Sequence, residues 1–229
     1  MIFQVSLIVR RPPAAVLWDM DGTLLDSERL WDIAVVELSA NLGFTMTPEI
    51  RESTLGNSME DALRKVFDAA GVPLAERDYR GCERWLLNRV AELFDQDLPW
   101  RPGAHEALTT IAAAGIPMAL VTNTVRELAE NALDTLGRDF FAVTVCGDEV
   151  ANGKPAPDPY LRAAELLGVP AHRCRAVEDS PTGTESATAA GCHTLVVPST
   201  LPIPPGPRRE HRSSLVGLTL AELGTADPA

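Results

Sequence analysis

Short apolar runs separated by helical periods organise this chain. Ala14 to Trp18 is apolar throughout and then stops at two aspartates, Asp19 and Asp21. A run this short, without polar alternation, predicts a strand covered on both faces. The next stretch has a different rhythm. Ser27 to Leu42 carries Leu30, Ala34 and Leu38 at helical spacing. Thr47 is placed to cap a helix with Pro48 at its first position. Ser58 is placed to cap another, with Leu63, Val66 and Phe67 on one face. Asp78 to Phe94 reads as a fourth helical segment. The polar and apolar positions from 27 to 98 therefore predict an all-helical module with no strand.

At Pro99, Pro102 and Gly103 the pattern changes. Helices over 104–114, 125–136, 157–167 and 181–190 alternate with strands over 118–121, 142–146, 174–177 and 193–197. Such alternation predicts a parallel sheet with helices on both faces, an α/β three-layer architecture. The first strand belongs to that sheet, so the helical module is an insertion after it. The predicted organisation is an extension over 1–13, a core built from 14–26 and 99–229, and the helical module over 27–98. The proline-rich stretch 198–212 reads as a surface excursion, followed by a last short strand and a closing helix within 213–223.

Composition narrows the functional classes. The chain has 229 residues and a net charge of −12, which argues against nucleic acid and anionic membranes as partners. No apolar run is long enough to span a bilayer. Cys82, Cys146, Cys174 and Cys192 are scattered without metal-ligand spacing, which points to a reduced, cytoplasmic setting. A monomer or weak dimer is expected.

In sheets of this kind, ligands bind beyond the carboxyl ends of the strands. The polar residues found there are Asp19 and Asp21 after the first strand, Thr122 and Asn123 after the second, Lys154 in a loop after the third, and Glu178, Asp179 and Ser180 after the fourth. Asp19 and Asp21, two apart on an extended segment, point to one side. Like charges so close disfavour joint ionisation unless a cation intervenes. Oxygen ligands with room for water suit Mg²⁺, and Asp179 adds a third carboxylate. Lys154 is one of two lysines, beside Lys65, in a chain that otherwise uses arginine. A compact ammonium neutralises phosphate oxygens as a point charge.

The segments DMDGTLLDSE, VTNT, GKPAPDPY and VEDSPTG resemble, in order, the four motifs of the haloacid dehalogenase superfamily, and the likeness spans about residues 14–223. It is nearest to the phosphatase branch with a helical cap on a Rossmann-like core, similar to β-phosphoglucomutase-like and phosphoglycolate phosphatase-like proteins. The resemblance implies that Asp19 attacks phosphorus and that Asp21 protonates the leaving oxygen and then activates water. It implies that Asp19, the backbone of Asp21, and Asp179 hold Mg²⁺, with Glu178 in or beside that shell. Thr122, Asn123 and Lys154 would hold the phosphoryl group. Gly56, Asn57 and Ser58 match the cap loop that selects the leaving group, although helix-stop and N-cap chemistry explains those residues equally well.

Departures from the pattern separate the rival activities. Trp31 stands where mutase-like members carry a cap histidine, and Leu55 and Met59 stand where basic residues are expected. Hydrolysis is therefore favoured over sugar-phosphate mutation. A haloacid dehalogenase needs neither Asp21 nor Asp179. The implied partner is a small phosphorylated metabolite of unspecified identity.

Overall fold

The computed structural model describes residues 10–55 and 59–226. The cap-loop residues Gly56, Asn57 and Ser58 lie outside this range. Six strands form one parallel sheet: β2 (Ala15–Trp18), β3 (Met118–Val121), β4 (Val143–Val145), β5 (Cys174–Glu178), β6 (His193–Val196) and β7 (Arg209–His211), after a two-residue β1 (Arg10–Arg11). Their order across the sheet is β4-β3-β2-β5-β6-β7. The chain leaves β2 toward β3 and β4 on one side and returns on the other as β5, β6 and β7. This reversal opens a crevice beyond the carboxyl end of β2.

The apolar runs behave as the pattern predicts. Every residue of β2, β3 and β5 is buried. Alternate side chains enter two apolar clusters, one on each face. Ala15 and Leu17 pack with Ala119, Val121, Tyr160 and Ala163. Val16 and Trp18 face the larger cluster, which runs on into the inserted helices through Leu63, Phe67 and Leu86. Helices α5 (Ala104–Ala113), α6 (Arg126–Leu136), α7 (Asp158–Leu166) and α8 (Pro181–Ala189) complete the layers.

Between β2 and β3 lie α1 (Glu28–Asn41), α2 (Pro48–Thr54), α3 (Met59–Ala69) and α4 (Tyr79–Gln96). Thr47 caps α2 by accepting the Ile50 amide, and Asp78 caps α4 by accepting the Gly81 amide. The two chain segments that lead into and out of these helices run side by side. The Asp26 amide donates to the Pro99 carbonyl and the Arg101 amide donates to the Leu24 carbonyl, both at 2.8 Å.

The C-terminal quarter departs from the sequence reading. The proline-rich segment carries a sixth parallel strand, β7, which pairs with β6. No strand forms in 213–219, and the closing helix is the single turn α9 (Leu220–Leu223). The last strand is β8 (Thr225–Ala226), antiparallel to β1, so the end of the extension over 1–13 is tied to the core. Arg-Glu-His has no apolar alternation to announce β7. The strand is held instead by Arg175, a fully buried guanidinium on β5 that donates to both Glu210 carboxylate oxygens and to the Glu222 carbonyl. Its charged residues also suit an edge that must not recruit another strand.

Glu210→Ala leaves the buried Arg175 charge without its carboxylate. Because Glu210 is itself 38% exposed, the expected cost is about 2 kcal/mol, below the ~3–5 kcal/mol of a fully enclosed pair. Thermal denaturation should then show a melting temperature lowered by about 4–8 °C. An unchanged midpoint would show that β7 is held by its backbone pairing alone.

Candidate active site

Backbone geometry first brings the acids together. Asp19 follows β2 directly, and its amide donates to the Val177 carbonyl of β5. Gly22 has a φ of +86°, and a Cβ there would lie 2.1 Å from Asp179 Oδ2. Only glycine gives both this turn and this approach. On the other side, a Cβ on Gly183 of α8 would lie 1.9 Å from Glu178 Oε1, so the first turn of α8 can close over that carboxylate.

Lys154 is the electrostatic centre. Its ammonium donates to Asp19 Oδ1 at 2.6 Å and to Glu178 Oε1 at 2.7 Å, and all three side chains are buried. The ammonium also lies 5.1 Å from the centroid of the Tyr160 ring, while the Tyr160 hydroxyl donates to Glu178 Oε1 at 2.7 Å. The loop that presents Lys154 is fixed through Asn123. Its side-chain oxygen accepts the Lys154 amide at 2.8 Å and its amide group donates to the Lys154 carbonyl at 3.1 Å. Burial alone would push the lysine down, but the Asp19 and Glu178 carboxylates outweigh it and hold the ammonium above its usual range.

The acids carry the opposite imbalance. Burial pushes Asp19 and Glu178 up, with Lys154 opposing in both cases. Burial, then the Asp19 and Glu178 charges, push Asp179 well above the ordinary carboxylate range. Ligand oxygens of Asp19, Glu178 and Asp179 lie within 4.8 Å of one another. Three carboxylates against one ammonium leave negative charge that a cation would neutralise. An all-oxygen donor set suits a hard divalent metal. Within it, Glu178 is the most fully engaged: Oε2 accepts the Asp179 amide and the Ser180 hydroxyl, both at 3.2 Å, while Oε1 holds Lys154 and Tyr160.

Asp21 stands apart from this cluster, half-buried at the rim. Its Oδ1 accepts the Ser27 hydroxyl at 2.6 Å, and its Oδ2 accepts Thr124 at 2.7 Å and Thr122 at 3.4 Å. Thr23 bridges Asp19 and Asp179, donating at 2.8 and 3.2 Å. Sequence reasoning assigned no role to Thr23, Ser27, Thr124, Tyr160 or Ser199, whose hydroxyl donates to Asp179. Four of them sit within the motifs, but only the fold shows which acid each one contacts. The predicted residues Asp19, Asp21, Thr122, Asn123, Lys154, Glu178 and Asp179 all converge beyond the strand ends. Above them, a cleft of about 690 Å³ is walled by Asp19, Asp21, Thr122, Asn123, Lys154 and Asp179 on one side and by helices α1 to α4 on the other, while Glu178 is fully buried and does not line it.

A haloacid dehalogenase-like hydrolase family model matches residues 16–197. The chain belongs to that family. This hydrolase is 35% identical over 202 residues to the Drosophila melanogaster protein named "Probable pseudouridine-5'-phosphatase", covering 83% of this chain and 84% of that protein. It is 31% identical over 182 residues to the phosphorylated carbohydrates phosphatase of Thermotoga maritima, covering 79% and 83%. Among solved structures, CbbY from Rhodobacter sphaeroides in complex with phosphate superposes with a TM-score of 0.80 at 28% identity, covering 90% of this chain and 96% of that one. With these relatives, the hydrolase is an enzyme of the phosphatase branch. Among its described residues, no helix is long and apolar enough to cross a membrane.

Tyr160→Phe removes the hydroxyl donated to Glu178 without opening a cavity. The expected loss is about 1 kcal/mol, read as a melting temperature lowered by about 2–4 °C. A variant as stable as the parent would mean that Lys154 and the backbone hold Glu178 unaided.

Proposed function

We propose that the hydrolase is a Mg²⁺-dependent phosphomonoester hydrolase that works through an aspartyl-phosphate on Asp19. The observation that carries this reading is the placement of Asp19 between the Lys154 ammonium at 2.6 Å and the Thr23–Asp179 group, with Asp21 at the rim of the same crevice. In the first step a bond forms between an Asp19 carboxylate oxygen and phosphorus. The bond from phosphorus to the leaving oxygen breaks, and Asp21 delivers its proton to that oxygen. In the second step Asp21 takes a proton from water, which attacks phosphorus and frees Asp19. Lys154, Thr122, Asn123 and nearby backbone amides hold the phosphoryl oxygens.

Asp19, the backbone of Asp21, and Asp179 would hold Mg²⁺, with Glu178 securing Lys154 beside it. The bound ion would supply positive charge that lets an anionic carboxylate approach an anionic phosphate. Ser27, which holds Asp21, is also the residue from which the inserted helices start. We read 27–98 as a cap on a core of 14–26 and 99–229, closing through the paired segments near Asp26 and Arg101 to exclude water. The substrate is a small phosphorylated metabolite. Free thiols at Cys82, Cys146, Cys174 and Cys192 fit a reducing, cytoplasmic setting, and we expect a monomer or weak dimer. No described histidine lines the cleft, which favours hydrolysis over sugar-phosphate mutation.

Asp19→Asn removes the attacking carboxylate, and turnover of p-nitrophenyl phosphate should fall by several orders of magnitude. EDTA should abolish the activity of the parent protein, and Mg²⁺ should restore it. Retained turnover in Asp19→Asn would remove the nucleophile assignment. Full activity in EDTA would remove the Mg²⁺ requirement.

A further inference from the structure

The cleft wall facing the acids is largely apolar. On the helical side it is lined by Trp31, Val35, Leu55, Met59, Ala62 and Leu87, all partly exposed to the cleft. These residues come from α1, the end of α2, α3 and α4. Trp31 and Val35 lie four apart on α1, and Met59 and Ala62 three apart on α3, so each pair presents one helical face.

The charges on the same wall point the same way. Glu28 and Glu83 line the cleft and oppose a second anion. Among the described residues, Arg51 is the one cation lining the helical side, and each of its guanidinium nitrogens is engaged. Nε and one terminal nitrogen hold Asp32, at 2.6 and 2.5 Å, and the other terminal nitrogen donates to the Thr54 hydroxyl at 2.7 Å. A second phosphate or a carboxylate would therefore meet acids and a neutralised arginine. A polyol would leave hydroxyls facing apolar side chains with few partners, and unpaired polar groups lose affinity. A flat or apolar group would instead bury surface against Trp31 and the aliphatic wall. The volume of about 690 Å³ is several times what a phosphoryl group fills and is in the range of sites for sizeable ligands.

We infer that the physiological substrate is a phosphomonoester whose alcohol carries a flat or apolar group and no second anionic group, with Trp31 as a specificity-determining residue. The inference rests on the phosphomonoester reading above.

The test compares kcat/KM, with Mg²⁺, for naphthylmethyl phosphate, sorbitol phosphate, a hexose bisphosphate and acetyl phosphate. Naphthylmethyl and sorbitol phosphates both release primary alcohols, so their ratio reports recognition. The expected ratio is about tenfold or more in favour of naphthylmethyl phosphate, with the bisphosphate slowest. Trp31→Ala should reduce that ratio about tenfold, mainly through KM. Leu55→Lys should raise the rate on the bisphosphate relative to sorbitol phosphate several-fold. Each ratio is internal to one preparation, so a partly unfolded variant does not alter it. A parent ratio at or below one, or ratios unchanged in both variants, would overturn the inference while leaving a phosphatase. Failure of the parent protein on the three esters and on acetyl phosphate, an acyl phosphate, would remove the phosphomonoester reading and this inference with it.

Discussion

The site depends on one buried ammonium shared by two carboxylates. Lys154 lies between Asp19 and Glu178 at hydrogen-bond distance, with Tyr160 closing the far side. Burying a single charge is expensive unless it is paired and its hydrogen-bonding capacity is met. Here the pairing is overcompensated, because Asp179 adds a third acid against the same cation. This surplus explains why burial and mutual repulsion push Asp179 above the range of an exposed carboxylate. It also makes the crevice a place where added positive charge would be favourable. Stability and the proposed catalysis thus impose opposite demands at one place, and a bound cation would reconcile them.

The sheet makes the arrangement possible. Asp19, Asp179 and Lys154 are 25 to 160 residues apart in sequence, by their numbers, yet the reversal at β2 delivers their strand ends to one crevice. The buried strands bring rigidity, since their side chains are packed on both faces and cannot yield independently. The inserted helices share the larger apolar cluster with the sheet. The acids are therefore set by the core, whereas the wall opposite them is set by helices that join it through two short paired segments. Chemistry and selectivity are separable for that structural reason.

Much of this was legible in the sequence because the relevant signals are local. An apolar run followed by Asp19 and Asp21 marks a strand and its functional end together, and the alternation from residue 104 onward gives the sheet. Strand β7 was not legible, because Arg209, Glu210 and His211 look like surface residues and depend on Arg175, more than thirty positions earlier. The hydroxyls of Ser27, Thr124 and Ser199 were illegible for a related reason. Ser and Thr are common in turns and caps, and nothing local distinguishes one that reaches an aspartate from one that caps a helix. The apolar wall was only hinted at by Leu55 and Met59. Its extent appears once α1, α3 and α4 are packed.

On the proposed reading, the buried acids form a cation site whose occupation stabilises the fold. Thermal denaturation of chelator-treated protein, with and without Mg²⁺, tests it without reference to any substrate. Saturation to about a hundred times the dissociation constant should add ~2.7 kcal/mol, raising the melting temperature by about 5–11 °C, and Asp179→Asn should largely abolish the shift. Identical melting curves with and without Mg²⁺ would contradict the claim.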